Sequence, residues 1–139
     1  MPTLLTHIGV HDAEIARWEE VLRLMTAHTN RSEPDRLRYE YWRGAERGRY
    51  YALLSYPTSQ AFYAHQASSY HDAFLDDFAR MFSDMRLEWI DPVQGGGSGL
   101  PPTTDDPLPA TTPGKIRDQL ALYPILIADW WEEARAHEK

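Results

Sequence analysis

The sequence predicts an α+β sandwich: four antiparallel strands in one layer, with two helices covering one face of it. Three observations lead there. Residues 3–10, 37–43, 49–56 and 85–91 alternate with a two-residue period, the mark of a strand. Residues 12–28 and 58–82 carry apolar side chains at three- and four-residue spacing, the mark of a helix with one buried face. Gly44 to Gly48 sits between the second and third alternating runs, so those two strands form a hairpin. The resulting order, β-α-β-β-α-β, is the ferredoxin-like arrangement.

The first strand places Leu4, Ile8 and Val10 on one face and Leu5 and His7 on the other. Asp12 is a candidate N-cap for the first helix, whose buried stripe is Ile15, Trp18, Leu22 and Met25; Glu14, Glu19, Glu20 and Arg23 fall on the solvated side. Asn30 to Asp35, with Pro34, is loop. In the second strand Leu37, Tyr39 and Tyr41 oppose Arg38, Glu40 and Trp42. In the third, Tyr50, Ala52, Leu54 and Tyr56 oppose Tyr51, Leu53 and Ser55. Both faces carry bulk, so the sheet should be covered on both sides. The second helix should start at Thr58 or Ser59 and break near Ser68-Ser69, where a second cap is available. Its second piece aligns His71, Phe74, Phe78 and Met81 or Phe82 on one face, which puts a histidine in the core-facing stripe. The last strand, Met85 to Asp91, closes the domain, taken as residues 1–93.

Residues 94–114 change character. Gly95-Gly96-Gly97-Ser98-Gly99 is flexible, and five prolines with four threonines follow, which reads as a linker. Residues 115–139 read as a helical tail interrupted by Pro124. Ile125-Leu126-Ile127 beside Trp130-Trp131 is too apolar to be left in water, so the tail should dock on its own or a partner subunit.

Composition narrows the function. The net charge of −7 disfavours nucleic acid and anionic membrane surfaces as partners. There is no cysteine, hence no disulfide framework and no thiolate or metal–sulfur chemistry. No signal peptide or membrane span is evident at the N-terminus or elsewhere, and a cytoplasmic location is expected. An apolar open sheet face would be sticky in a monomer, so a homodimer packed sheet on sheet is expected.

Leu37-Arg38-Tyr39-Glu40-Tyr41, Tyr51-Ala52-Leu53-Leu54-Ser55-Tyr56, Ser59-Gln60-Ala61-Phe62-Tyr63-Ala64-His65 and Ser68-Ser69-Tyr70-His71-Asp72-Ala73-Phe74 together resemble the antibiotic-biosynthesis monooxygenase domain of the dimeric α+β barrel superfamily. The resemblance covers about residues 3–93, with Tyr56 standing where the family often carries a tryptophan. It implies a dimeric barrel and a cofactor-independent oxidation, by dioxygen, of a phenolic, quinol or polycyclic aromatic substrate. A non-catalytic barrel that binds a small apolar ligand or a protein partner is the alternative. Haem degradation ranks third, because the sole asparagine, Asn30, lies in a predicted loop.

For such chemistry His71 is the candidate proton acceptor, since imidazole titrates near neutrality and can generate an electron-rich phenolate. Its competing role is a hydrogen bond to a backbone carbonyl across the helix break. Tyr56 is the second catalytic candidate. His65, Trp42, Tyr39, Tyr51 and Phe74 are candidates to line a flat aromatic site, against the alternative of core and dimer packing. Arg86, with Arg38 and Arg43, is a candidate to hold an anionic oxygen, and His7 and His11 bracket the end of the first strand. No His-Glu-x-x-His spacing suggests a metal, and no glycine-rich phosphate loop is present.

Overall fold

The computed structural model describes residues 1–138; Lys139, the last residue of the predicted tail, lies outside them. Strands β1 (Thr3–Val10), β2 (Arg38–Arg43), β3 (Arg49–Ser55) and β4 (Phe82–Trp89) form one antiparallel sheet in the order β2-β3-β1-β4. The helices are α1 (Ile15–Ser32), α2 (Ser59–Gln66), α3 (Ser69–Asp72), α4 (Leu75–Met81) and, beyond the sheet, α5 (Gly114–Arg117), α6 (Gln119–Leu122) and α7 (Asp129–Ala136). The ferredoxin-like α+β expectation therefore holds.

Register sorts the side chains onto two faces. Leu4 pairs with Leu54 and Trp89, Thr6 with Ala52 and Leu87, and Ile8 with Tyr50 and Met85. With Tyr39 and Tyr41 of β2 they make the face under the helices. Leu5 pairs with Leu53 and Glu88, and His7 with Tyr51 and Arg86, on the opposite face, which Trp42, Glu40 and Arg38 extend. Gly48 closes the β2–β3 hairpin at φ +82, where a Cβ would stand 2.6 Å from the Val10 carbonyl oxygen, so glycine is required there.

Several element boundaries differ from expectation. A 3-10 turn over Asp12–Glu14 precedes α1, and no side chain caps the helix start. α1 runs on to Ser32 and absorbs the first part of the predicted loop, and its buried residues are Trp18, Val21, Met25 and Thr29. Ile15 and Leu22 are only partly buried. Glu19 is not a solvated bystander. Arg43 donates to it at 2.6 and 2.7 Å and the Tyr50 hydroxyl at 2.8 Å, which holds its carboxyl down at about 2. β4 starts at Phe82, directly after α4, and ends at Trp89, because pairing with β1 from Val10 onward captures residues that helical spacing alone assigns to the helix.

The second helical region has three pieces. Thr58 caps α2 as expected, its hydroxyl accepting from the Ala61 N–H at 3.0 Å. Ser68 stands at the N-cap of α3, but its hydroxyl donates back to the His65 carbonyl at 2.6 Å, so it ties the break shut and does not cap the next piece. A second break separates α3 from α4 at Ala73-Phe74.

Residues 94–114, expected as a free linker, lie on the body of the protein. Arg38 donates to the Ser98 carbonyl at 3.0 Å; Leu100, Thr103 and Thr112 are buried; and the Thr103 N–H donates to Asp91 at 2.9 Å. Asp91 and the Thr103 carbonyl also take the Arg135 guanidinium, which ties α7 to the end of β4. Prolines that remove backbone donors suit such a strap, whose remaining N–H groups go partly to side chains, as Thr103 to Asp91 and Asp106 to Ser59, and partly to backbone carbonyls, as Thr104 to Met1. Between α6 and α7 the chain is extended, and Ile125 is buried in the core while Trp131 is the buried residue of α7.

Candidate functional site

A cavity of about 420 Å3 lies between the sheet and the helices. Two short side chains in the middle of the sheet make room for it. Thr6 and Ala52 are paired neighbours, flanked by Leu4, Ile8, Leu54, Tyr41 and Leu87, so the floor recedes at its centre. Trp18 and Met25 of α1, and Leu75 and Phe78 of α4, form the walls with Phe82 and Met85. Trp18 is held by rings edge-on to it: Tyr41 at 5.7 Å, Tyr50 at 6.0 Å, Phe78 at 6.2 Å and Phe82 at 5.1 Å. Leu75 and Met85 are about half exposed, which places the mouth between α4 and β4.

Two histidines enter this apolar space from the helical side. In an unbroken helix His65 and His71 would point about 120° apart. The break at Ala67-Ser68 turns the chain so that their rings stand 5.5 Å apart, both lining the cavity. Gln66 joins them. His65 is buried, and its Nδ1 lies 2.9 Å from Glu33 Oε2. A carboxylate can only accept, so Nδ1 carries the proton and Nε2 keeps a lone pair for a ligand. The Tyr70 hydroxyl lies 3.4 Å from the same Nδ1, and Tyr70 stacks on His28 at 5.4 Å. Nδ1 of His71 is buried without a protein partner. Burial, and then the positive charge that its neighbour His65 carries when protonated, push the His71 imidazole down to about 4, so it is neutral at physiological pH.

The other sequence candidates fall into three groups. Tyr56 and Tyr39 pack against the far side of His65, at 5.5 and 5.2 Å between ring centroids, and do not line the cavity. The Tyr56 hydroxyl is buried with no partner, and desolvation drives its pKa far up; burial raises Tyr39 to about 12. Both are neutral phenols that fix the His65 ring from behind. Phe74 is partly buried against the core but does not reach the cavity. Trp42, Tyr51 and Arg86 are on the opposite face of the sheet, where Arg86 lies between His7 and Glu88 and Tyr51 packs on His7 at 5.6 Å. Period-two alternation puts β2 residues 38, 40 and 42 on one face, and it is the face the helices leave uncovered.

Sequence patterning does not mark Glu33, Gln66, Tyr41 and Tyr123 as site residues. Glu33 sits just past the end of α1, and its partner is 32 positions away, so no local pattern joins them. Tyr41 was legible as a core-facing strand residue; its hydroxyl pairs with that of Tyr39 at 3.1 Å. Among the described residues no group of three or more His, Asp or Glu side chains is placed to hold a metal ion, and no helix is long and apolar enough to cross a membrane.

The sequence profile of the antibiotic biosynthesis monooxygenases matches residues 1–77, more than half of the chain. This protein belongs to the antibiotic biosynthesis monooxygenase family. Solved structures agree. A Caulobacter crescentus protein named for the same family is 26% identical with a TM-score of 0.61, over 66% of this chain and 89% of its own. A Pseudomonas aeruginosa protein at 18% identity and TM-score 0.60 (66% and 94% covered) and a Mycobacterium tuberculosis protein at 14% and 0.60 (66% and 94%) share the fold. No curated protein matches. The monooxygenase profile thus spans both histidines, Glu33 and the sheet floor through β3, whereas Phe78, Phe82, Met85, Leu87 and Tyr123 complete the cavity from outside it.

Proposed function

We propose that this member of the family is a cofactor-independent monooxygenase that oxidises a hydroxylated aromatic, a phenol, quinol or polycyclic enol, with dioxygen, and that it works as a homodimer. The observation that carries the reading is the pair of histidines facing an otherwise largely apolar cavity of a size suited to a small ring system.

The proton goes to His65 in this reading, and not to His71, the sequence candidate. A base pushed down to about 4 is a poor acceptor for a phenolic proton, whereas the hydrogen bond from His65 Nδ1–H to Glu33 leaves Nε2 open to accept and sets a carboxylate beside the imidazolium that forms. Neutral His71 then holds the substrate oxygen by a hydrogen bond. The resulting anion gives one electron to dioxygen; the substrate radical and superoxide combine at the ring carbon to a peroxide anion, which takes a proton. Loss of water with the second hydrogen of that carbon leaves a carbonyl. The balance is CH2 plus O2 giving C=O plus H2O. The apolar walls keep the radical pair from water.

Oxygen uptake and product mass with a panel of naphthols, naphthoquinols and anthrone test the reading. Uptake above buffer, abolished in His65→Ala, is the expected result. Tight binding of the panel without oxygen uptake by the wild-type protein would instead favour a binding protein.

A further inference from the structure

One wall of the cavity comes from a part of the chain well beyond the family profile. Tyr123, between α6 and the extended segment that follows it, lines the cavity together with His65 and His71, and meets Phe62 edge-on at 6.4 Å. Its position is fixed from two sides. The Tyr63 hydroxyl, on α2, donates to the Tyr123 carbonyl at 2.8 Å, and Trp89 Nε1, at the end of β4, donates to the Pro124 carbonyl at 2.9 Å. Ile125 is buried in the core, and Lys115 pairs at 3.0 Å with Asp72, the neighbour of His71. The extension therefore spans from helix to sheet across one end of the cavity. α5 and α6 have four residues each, too few to be stable alone, so docking alone sets where Tyr123 stands.

We propose that the C-terminal extension is the selectivity wall of this cavity, and that the Tyr123 ring sets how many fused rings a hydroxylated aromatic ligand can have. The proposal rests on the reading of the cavity as an aromatic site, but it concerns binding and not oxidation. The floor and the remaining walls are built from strands and helices that pack the core, so they cannot move without cost; the Tyr123 side chain can be shortened or lengthened with the docking contacts of its backbone kept.

The experiment measures dissociation constants of two-ring 1-naphthol and three-ring 1-anthrol under argon, by calorimetry on the full chain, for wild type, Tyr123→Ala and Tyr123→Trp. Removing the ring should shift the affinity ratio toward the three-ring probe about tenfold, and the larger indole should shift it the other way by a similar factor. Ratios within about twofold of wild type in variants of unchanged melting temperature, or no binding of either probe to wild type, would overturn the proposal. If a substitution prevents folding, hydrogen exchange on the wild type decides: saturating 1-naphthol should slow the amides of residues 119–127, and unchanged exchange there counts against the wall. Binding that follows residue 123 without oxygen consumption leaves the wall standing and removes the monooxygenase reading. Oxygen consumption with a ratio indifferent to residue 123 does the reverse.

Discussion

Glu33 and His71 modify the same chemistry in opposite ways. Glu33 gives His65 a fixed tautomer and a negative neighbour, while burial keeps His71 uncharged. Glu33→Gln keeps the size and a hydrogen-bonding oxygen but removes the charge that stabilises protonated His65. Under the proposed reaction it should lower kcat about 100-fold with KM little changed, read by oxygen uptake. His71 makes a stability prediction independent of any reaction. Its folded pKa of about 4 lies below the unfolded 6.5, so the unfolded chain takes up a proton first as pH falls. Stability from this group is complete above about pH 6.5 and is lost as pH drops toward 4, by roughly 2–3 kcal/mol. Urea midpoints at pH 7.5 and 4.5 should converge in His71→Asn relative to wild type. An equal drop in both proteins would mean that His71 is not held neutral.

At the level of the element, the α2–α3 break decides whether there is a site at all, because it brings together two histidines that one straight helix would separate. Thr58 sets where α2 begins. Thr58→Ala removes the hydroxyl that accepts the Ala61 N–H, and should cost about 1 kcal/mol and lower Tm by about 3–5 °C. A Tm unchanged in calorimetry would mean that water replaces the cap without loss. The same elements show what a sequence can and cannot disclose. Alternation in 49–56 and the Gly44–Gly48 turn carry the strand order, because strand period and hairpin closure are local properties. The break was legible at Ser68-Ser69 because two hydroxyl residues interrupt an apolar stripe. Which face of β2 the helices cover was not, because Tyr39 and Trp42 are both large and only the packing of α1 chooses between them. Glu33, the receding floor at Thr6 and Ala52, and Tyr123 were hidden for a related reason: each acts through a partner remote in sequence. The proline-rich strap was misleading, since a composition that suits a flexible linker equally suits an extended segment tied down by Arg38, Asp91 and Arg135.

On the scale of the whole molecule, the face of the sheet opposite the helices is divided. Arg38 holds Ser98 at the edge strand, Thr103 is tied to Asp91 beyond the end of β4, and the hydroxyls of Thr3 and Ser55, 2.8 Å apart, are buried; the strap thus shields the end of the sheet that carries the start of β1. The other end keeps Leu5, Tyr51 and Leu53 partly exposed and Trp42 59% exposed. Charged pairs frame it: Arg86 with Glu88, Arg38 with Glu40, and Arg49 with Asp84. An apolar centre with a charged rim is the composition of a subunit interface, and a stable one needs about 800 Å2 from each partner. The proposed homodimer would use this end of the sheet, its two-fold axis near Leu53, with the strap setting the limit of contact. Leu53→Glu puts a carboxylate at that centre, opposite a symmetry-related copy of itself, so two like charges must be desolvated together. Wild type should scatter at twice the 16.1 kDa mass of the chain, and Leu53→Glu at the single-chain mass with an unchanged circular dichroism spectrum. A wild type that scatters as one chain at micromolar concentration, or a Leu53→Glu protein that remains double, would show that this face does not join subunits.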